Sequence, residues 1–180
     1  MPYDPRLIAA FNKTLATGTP FQRIAPGKVL YRGGERPDAN AFSIRLGNVF
    51  LSSYPAYARA YAGYWQRHDY HYLYRAATTC EIRIAVVYGM YSVVSVAIEE
   101  LKLINRAQAI NWQRDNLIPL AIQALNQRLD GLLFLEKENA NTDELLIDNR
   151  NGILALQELH VYHKDQRNAQ RENAVLSAVR

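Results

Sequence analysis

The chain has 180 residues, 49% of them hydrophobic, and a formal net charge of +4. This length predicts one domain, and the apolar content excludes disorder of the whole chain. No apolar run reaches the roughly 20 residues that a membrane-spanning helix needs, and the N-terminus lacks the segments of a secretory signal. We therefore expect no membrane partner, and either a cytoplasmic location or export into a target cell's cytosol by a system that reads no signal peptide.

The first third of the chain predicts two helices with two short strands between them. Apolar residues at helical spacing indicate an amphipathic helix over 4–16. Strands are expected at 28–32 and 48–52, separated by a polar loop that contains glycine, proline and asparagine. Alanine and tyrosine then recur at helical spacing from residue 55 to about residue 64, which indicates a second helix.

The rest of the chain predicts a strand, a helical region and a strand-rich end. A strand is expected at 81–87, and the segment 91–96 is expected to extend it or pair with it. The region 98–129 is helical in character, with Asp115 as N-cap and Pro119 in the first turn. Ile118, Ile122, Leu125 and Leu129 are expected to line its buried face. Strands are then predicted at 131–136, 144–148 and 153–162, the last two joined by an Asn-Gly hairpin turn.

Together these elements predict an α+β domain with antiparallel pairing at least at its C-terminal end. We divide the chain into an N-terminal helical segment (1–26), a core (28–162) and a polar tail or peripheral helix (163–180). Cys80 is the only cysteine, which excludes an internal disulfide and a cysteine-rich metal site. Its apolar surroundings predict a buried, inert thiol.

Three separated motifs carry residues suited to a nucleotide. Arg32 ends the first strand, followed by Gly33 and Gly34. A guanidinium is a forked, permanent donor, and glycines let the backbone approach a ligand closely, which suits a phosphate. A surface arginine beside a flexible turn is the alternative, and these residues alone favour it.

The second motif contains Ser52 and Ser53, which end the second strand. Ser53 is in position to cap the following helix, whereas Ser52 can turn inward. Tyr57 and Tyr61 share one helix face, where they either pack in the core or stack on a flat heteroaromatic ring. The third motif contains Glu144, a carboxylate that opens a strand after a polar loop; it is either a site residue or an ordinary solvated charge.

In this order, YRGG, VFLSS, DGLLFL and DELLI resemble the mono-ADP-ribosyltransferase fold of bacterial toxins and effectors. The resemblance spans residues 28–162 and implies a split antiparallel β-core with flanking helices. It implies an NAD-dependent transferase that releases nicotinamide and passes ADP-ribose to a macromolecular acceptor. NAD is then a substrate, and no metal is required.

The resemblance also assigns the catalytic residues. Arg32 would hold the phosphates or ribose of NAD, and the Gly33 backbone would bind the nicotinamide carboxamide. Ser52 would orient the nicotinamide ribose and the glutamate. Glu144 would accept a hydrogen bond from a ribose hydroxyl and stabilise positive charge as the glycosidic bond breaks.

Further contacts to the dinucleotide follow from the same resemblance. Phe50 and Tyr61 would enclose the nicotinamide ring. Tyr31, Ser53 and Tyr57 belong to the same expected binding surface. Thr142 stands two residues before the glutamate, where members that modify arginine or asparagine have glutamine or glutamate, so modification of protein arginine is in doubt. The loop 136–143 would face the acceptor.

Other functions stay open at this point. Water as acceptor would make the protein an NAD glycohydrolase. A basic domain with 12 tyrosines also fits a nucleic-acid-binding module, and a degenerate effector would use the fold only to bind a host or partner protein. An immunity protein is a further partner left open. The pairs His68/His71 and His160/His163 have spacing that metals use, but surface or structural roles are favoured.

Overall fold

The computed structural model describes residues 2–18, 20–34, 47–63, 70–89, 91–103, 105–135 and 143–163. Within these ranges the chain forms four α-helices and eight strands. The helices are α1 (Pro5–Lys13), α2 (Pro55–Gly63), α3 (Tyr91–Leu101) and α4 (Arg106–Leu125). The strands are β1 (Phe21–Ile24), β2 (Val29–Gly34), β3 (Asn48–Leu51), β4 (Tyr70–Thr78), β5 (Ile82–Tyr88), β6 (Gly131–Leu135), β7 (Asp143–Asp148) and β8 (Leu154–His163).

The strands form two sheets, so the predicted α+β class is confirmed. Five strands are arranged in the order β1-β5-β6-β7-β3, and three in the order β2-β4-β8. Every pairing is antiparallel except that of β5 with β6, which is parallel. A parallel pair needs a long crossover, and α3 and α4 lie in the connection between these two strands.

One backbone bridge joins the two sheets. The Tyr31 N–H donates to the Ser52 carbonyl, and the Ser52 N–H donates to the Tyr31 carbonyl, both at 2.8 Å. Tyr31 lies in β2 of the three-stranded sheet, and Ser52 directly follows β3 of the five-stranded sheet. The end of β3 therefore lies between β7 and β2.

The five-stranded sheet carries α1, α3 and α4 on one face, whereas α2 packs on the three-stranded sheet. Asp4 caps α1, its carboxylate accepting the Arg6 N–H at 2.8 Å, and Pro5 occupies the first helical position, where its missing N–H costs little. Leu7 and Phe11 then bury one face of α1 in a cluster that also contains residues of α3, α4, β5, β6 and β7. We call this group the helix-side cluster. The N-terminal helix is thus part of the main core.

The opposite face of that sheet packs against the three-stranded sheet. We call the residues between them the inter-sheet cluster: Leu30, Val49, Leu51, Ala76, Ile82, Ile84, Leu145, Ile147, Ile153 and Leu154. Side chains alternate between faces along a strand, so β7 directs Leu145 and Ile147 to this cluster and Leu146 to the helix-side cluster. Both faces of the central strands are buried.

Several predicted elements differ from the structure in the middle of the chain. The segment predicted to extend β5 is helix α3. Helix α4 begins much earlier than predicted, and its N-cap is Asn105, whose side chain accepts the Gln108 N–H at 3.0 Å. Asp115 and Pro119 therefore lie inside this helix, so their predicted capping and first-turn roles are wrong. Ile122 is 37% exposed and does not line the buried face, unlike Ile118.

Two strands were not predicted, and one turn was misassigned. Neither β1 nor β4 shows a clean period-2 pattern, yet β4 is the central strand of its sheet. Cys80 is exposed in the turn between β4 and β5, so the predicted buried thiol is wrong. Asn149–Asn151 forms a 3₁₀ turn that carries the chain from β7 in one sheet to β8 in the other. The predicted hairpin between these strands is therefore wrong.

Some predicted features lie outside the described residues. They are most of the polar loop after β2, residue 64 of the second helix, His68, Thr142 with most of the expected acceptor loop, and the tail after residue 163. Among the helices that are described, none combines the length and apolarity needed to cross a bilayer.

The carboxylate of Asp148, at the end of β7, predicts a pH-dependent contribution to stability. Hydrogen bonds from Arg150 Nε at 2.8 and 3.0 Å lower the pKa of Asp148 from its ordinary value of 3.8. A lowered folded-state pKa stabilises the native state above the ordinary value, and this stabilisation is lost as the pH falls through the folded value. Asp148→Asn should lower the melting temperature by roughly 2–4 °C at neutral pH.

The difference in melting temperature should shrink as the pH falls through the lowered folded-state pKa of Asp148, because the wild-type carboxylate then also becomes protonated. Thermal unfolding from neutral to acidic pH, followed by circular dichroism, measures it. Asp115→Asn is the control, because Asp115 pairs with Arg114 on an exposed helix surface, where an ion pair contributes little. A difference in melting temperature between Asp148→Asn and the wild type that stays constant with pH would contradict the prediction.

Candidate functional site

The strand pairing brings the three predicted catalytic residues to neighbouring backbone positions. Arg32 follows Tyr31, which is bonded to Ser52 across the junction of the sheets. Ser52 in turn follows Leu51, whose partner in β7 is Leu145, and Glu144 directly precedes Leu145. Three motifs that are far apart in sequence therefore meet on adjacent strands.

The side chains of these residues start on different faces of their strands. Leu30 belongs to the inter-sheet cluster, so alternation along β2 directs Arg32 to that same face. Leu146 belongs to the helix-side cluster, so alternation along β7 directs Glu144 to the helix side. Both Arg32 and Glu144 are partly buried. The three residues are thus neighbours along the backbone, but the Arg32 side chain starts on the inter-sheet face and the Glu144 side chain on the helix side.

Ser52 is the most buried of the predicted site residues. Its side chain is only 2% exposed, which confirms that it turns inward. Its Oγ accepts the Tyr54 N–H at 3.0 Å and donates to Asp143 Oδ1 at 2.8 Å. The same carboxylate oxygen accepts the Ser53 N–H at 2.8 Å. The turn after β3 is therefore tied to the start of β7 through one carboxylate.

Ser53 contributes through its backbone and not through its hydroxyl. The structure assigns its hydroxyl no partner among the described residues, whereas its N–H binds Asp143. Helix α2 begins one residue after Tyr54, with Pro55 in the first position. The N–H of Tyr54 is taken by Ser52, so the predicted capping role of Ser53 is not seen.

Asp143 is the site residue that sequence reasoning missed. It directly precedes Glu144, and the sequence predicts it only as the last residue of the acceptor loop 136–143. Alternation along β7 directs it to the face of Leu145, the inter-sheet side to which Arg32 also belongs. The acidic pair Asp143-Glu144 at the start of a strand could have indicated this residue. Sequence spacing alone does not tell which of the two carboxylates accepts the hydrogen bond from Ser52.

The remaining predicted residues lie around this junction. Tyr31 is buried in a small cluster under α2 with Ala58, Leu73 and Tyr162. Phe50 packs against the helix-side cluster, on the face opposite to that of Leu51. These contacts explain both aromatic residues as core packing.

Two further predicted residues lie in regular structure near the junction. Gly33 is a regular position of β2, opposite Leu73 of β4. Tyr57 is partly buried on α2. The side chain of Tyr61 lies outside the described residues.

Charged groups also gather on the α2 face of the three-stranded sheet. The Arg59 guanidinium lies 4.4 Å from the centre of the Tyr162 ring, a cation–π arrangement. Burial raises the pKa of Tyr162, and the charge of Arg59 opposes this shift. On the neighbouring strand positions, Glu158 binds Arg75 at 3.3 Å and His160 at 3.2 Å. The Arg59–Tyr162 contact joins α2 to this sheet, and the Glu158–Arg75 pair joins β8 to β4.

The histidine pairs do not form a ligand cluster in the described part of the chain. His71 lies in β4 opposite Tyr162, and His160 binds Glu158. Across the described ranges, no three histidine, cysteine, aspartate or glutamate side chains are placed to hold a metal ion together.

In comparisons with known proteins, no protein-family model matches the sequence, and no curated protein matches it. The candidate site therefore stands on its residues and their arrangement.

The buried hydroxyl of Ser52 should contribute measurably to stability. Ser52→Ala removes the hydroxyl that accepts the Tyr54 N–H and donates to Asp143. Loss of such buried partners costs about 1–3 kcal/mol of unfolding free energy. Urea denaturation followed by tryptophan fluorescence measures this difference.

Ser53→Ala is the matched control, since only the backbone N–H of Ser53 takes part in the bonds to Asp143. This variant should remain within about 0.5 kcal/mol of the wild type. Equal destabilisation by both substitutions would show that the Ser52 hydroxyl has no special role in the turn.

Proposed function

We propose that the protein is an NAD-dependent mono-ADP-ribosyltransferase of the bacterial toxin or effector type. The observation that carries the proposal is the junction of β2, β3 and β7, where Arg32, Ser52 and Glu144 occupy neighbouring backbone positions. These are the three residues that the sequence motifs single out. Two sheets joined at this point are also consistent with the split β-core that the resemblance implies.

The chemistry of the reaction suits the groups at this junction. Cleavage of the bond between ribose and nicotinamide leaves a sugar ring with oxocarbenium character. A fixed carboxylate stabilises that charge most when it peaks, in the transition state. In the proposed reaction the electron pair of the breaking bond goes to nicotinamide, and the acceptor nucleophile adds to the sugar carbon and loses its proton.

Arg32 supports the binding half of the proposal. Its side chain starts on the inter-sheet face at the end where β2 runs past the junction. A guanidinium binds phosphate or ribose oxygens through parallel hydrogen bonds. In this proposal Arg32 holds the pyrophosphate or ribose of NAD, while the glycines after it leave space for the ligand beside the backbone.

The group that accepts ADP-ribose distinguishes the alternative enzymatic activities. With water as acceptor, the same groups would make an NAD glycohydrolase, which yields free ADP-ribose. With a macromolecular acceptor, the product carries ADP-ribose on protein or nucleic acid. The basic composition also favours a nucleic-acid-binding module as a second candidate, in which Glu144 would be dispensable and binding would weaken with salt. A degenerate effector would bind only a host or partner protein.

Glu144→Gln tests the proposed activity. The substitution keeps the size of the side chain and removes its negative charge, so the rate of nicotinamide release from NAD should fall on the order of 100-fold. The melting temperature should change little, because Glu144 is at the start of a strand. Chromatography of the released nicotinamide and of any labelled acceptor in cell extract measures the rate, and thermal unfolding followed by circular dichroism measures the melting temperature.

Glu81→Gln is the matched control, because Glu81 precedes β5 at the end of the sheet away from Glu144 and forms an exposed ion pair with Arg23. Its rate should equal that of the wild type. Absence of nicotinamide release from the wild type under all conditions would defeat the enzyme proposal. Oligonucleotide binding that is unchanged in Glu144→Gln would then favour the nucleic-acid module.

A further inference from the structure

The directions of the hydrogen bonds around Ser52 limit what this site can recognise. A serine hydroxyl has one proton and two lone pairs. The Ser52 proton is directed to Asp143 Oδ1, and one lone pair accepts the Tyr54 N–H. Ser52 therefore has no donor left for a ligand. Being almost completely buried, it serves to orient the carboxylate.

Asp143 has the opposite character, because within the described residues only one of its two carboxylate oxygens accepts hydrogen bonds. Its Oδ1 accepts two hydrogen bonds, from the Ser52 hydroxyl and the Ser53 N–H, each at 2.8 Å. Among the described residues, no donor binds Oδ2. The side chain is partly exposed. An ionised carboxylate only accepts hydrogen bonds, so the open oxygen suits a donor on a ligand.

The position of this oxygen links it to the candidate site. Asp143 shares the inter-sheet side of β7 with Leu145, and Arg32 shares the inter-sheet side of β2 with Leu30. Leu30 and Leu145 belong to one cluster. Arg32 is two positions after Leu30 in β2, and Asp143 is two positions before Leu145 in β7. Asp143 is therefore on the side of the junction that Arg32 faces, whereas Glu144 starts on the other side.

We propose that Asp143 is a ligand-binding residue whose Oδ2 accepts a hydrogen bond from a sugar hydroxyl, with Ser52 and the Ser53 N–H holding the carboxylate in place. This inference rests on the proposed NAD reaction, in which the hydroxyl belongs to the nicotinamide ribose. It adds a second carboxylate to the junction, on the side that Arg32 faces. Two fixed donors on Oδ1 reduce the reorganisation needed on binding, so the ligand bond contributes more.

Asp143→Asn separates this role from a purely structural one. The asparagine Oδ1 still accepts from Ser52 and Ser53, but the outward atom changes from an acceptor to an N–H donor. If the outward oxygen binds a hydroxyl, kcat/KM for NAD should fall about 10–100-fold. If Asp143 only fixes the turn, Asp143→Asn should match the wild type, and only Asp143→Ala should lose stability and activity.

Analogues of NAD that lack one hydroxyl of the nicotinamide ribose complete the test. We expect one of the two deoxy analogues to lose about 10-fold or more in kcat/KM with the wild type, relative to NAD. With Asp143→Asn that same loss should shrink to below about 2-fold, because the partner is already gone. Comparing the ratios cancels the intrinsic difference in bond strength between the analogues.

Asp130→Asn is the matched control, since Asp130 Oδ2 also accepts a backbone N–H, from Arg83 at 2.8 Å, but at the opposite end of β6. It should leave the ratios unchanged. Turnover of NAD by the wild type together with unchanged ratios in Asp143→Asn would overturn this inference and leave the proposed function standing. A wild type that neither binds nor cleaves NAD, as followed by fluorescence and nicotinamide release, would overturn both.

Discussion

Two backbone hydrogen bonds between Tyr31 and Ser52 join the sheets of this protein, and the candidate site depends on them. Tyr31 belongs to the three-stranded sheet, and Ser52 extends an edge strand of the five-stranded one. Both residues are buried, so their backbone groups need partners within the protein. The bridge satisfies these backbone groups. Because Arg32 follows Tyr31, the bridge also places the Arg32 backbone beside the serine turn.

The apolar clusters on both sides of the five-stranded sheet hold this junction in place. The inter-sheet cluster packs Leu30 of β2 against residues of β3 and β7, directly next to the bridge. The helix-side cluster anchors the other face of β7 through Leu146. A strand buried on both faces cannot shift by one residue without exchanging its buried side chains. The register that aligns Glu144 with the serine turn is therefore strongly specified.

The polar groups at the junction form a connected set within this apolar frame. Ser52 both accepts and donates, and Asp143 receives two donors on one oxygen. The Ser52 hydroxyl can be buried because its hydrogen bonds are satisfied, and these bonds rigidify the turn. The neighbouring Asp143 carboxylate is partly exposed. Ser52 is therefore enclosed within the turn, whereas the Asp143 carboxylate lies at its partly exposed edge.

Local sequence patterns were sufficient for the elements that carry the motifs. The periodic spacing in α1 and α2 and the short apolar runs of β2, β3, β6 and β7 were placed within a few residues. Local sequence patterns did not predict the correct secondary structure where the burial of a segment depends on residues distant in sequence. The strand β4 is held by neighbours on both sides. The β-branched residues of α3 favour a strand locally, although the segment is helical. The turn after Asp148 resembles a hairpin locally but leads into another sheet.

The sequence by itself determined which residue types are available: an arginine before two glycines, paired serines, and an acidic pair opening a strand. It also determined the α+β class through its periodicities. Only the tertiary structure decided that these motifs meet, because their pairing depends on strands separated by many residues. It also decided that Asp143 accepts the hydrogen bond from the Ser52 hydroxyl, since the choice between Asp143 and Glu144 depends on which face of β7 contacts the turn.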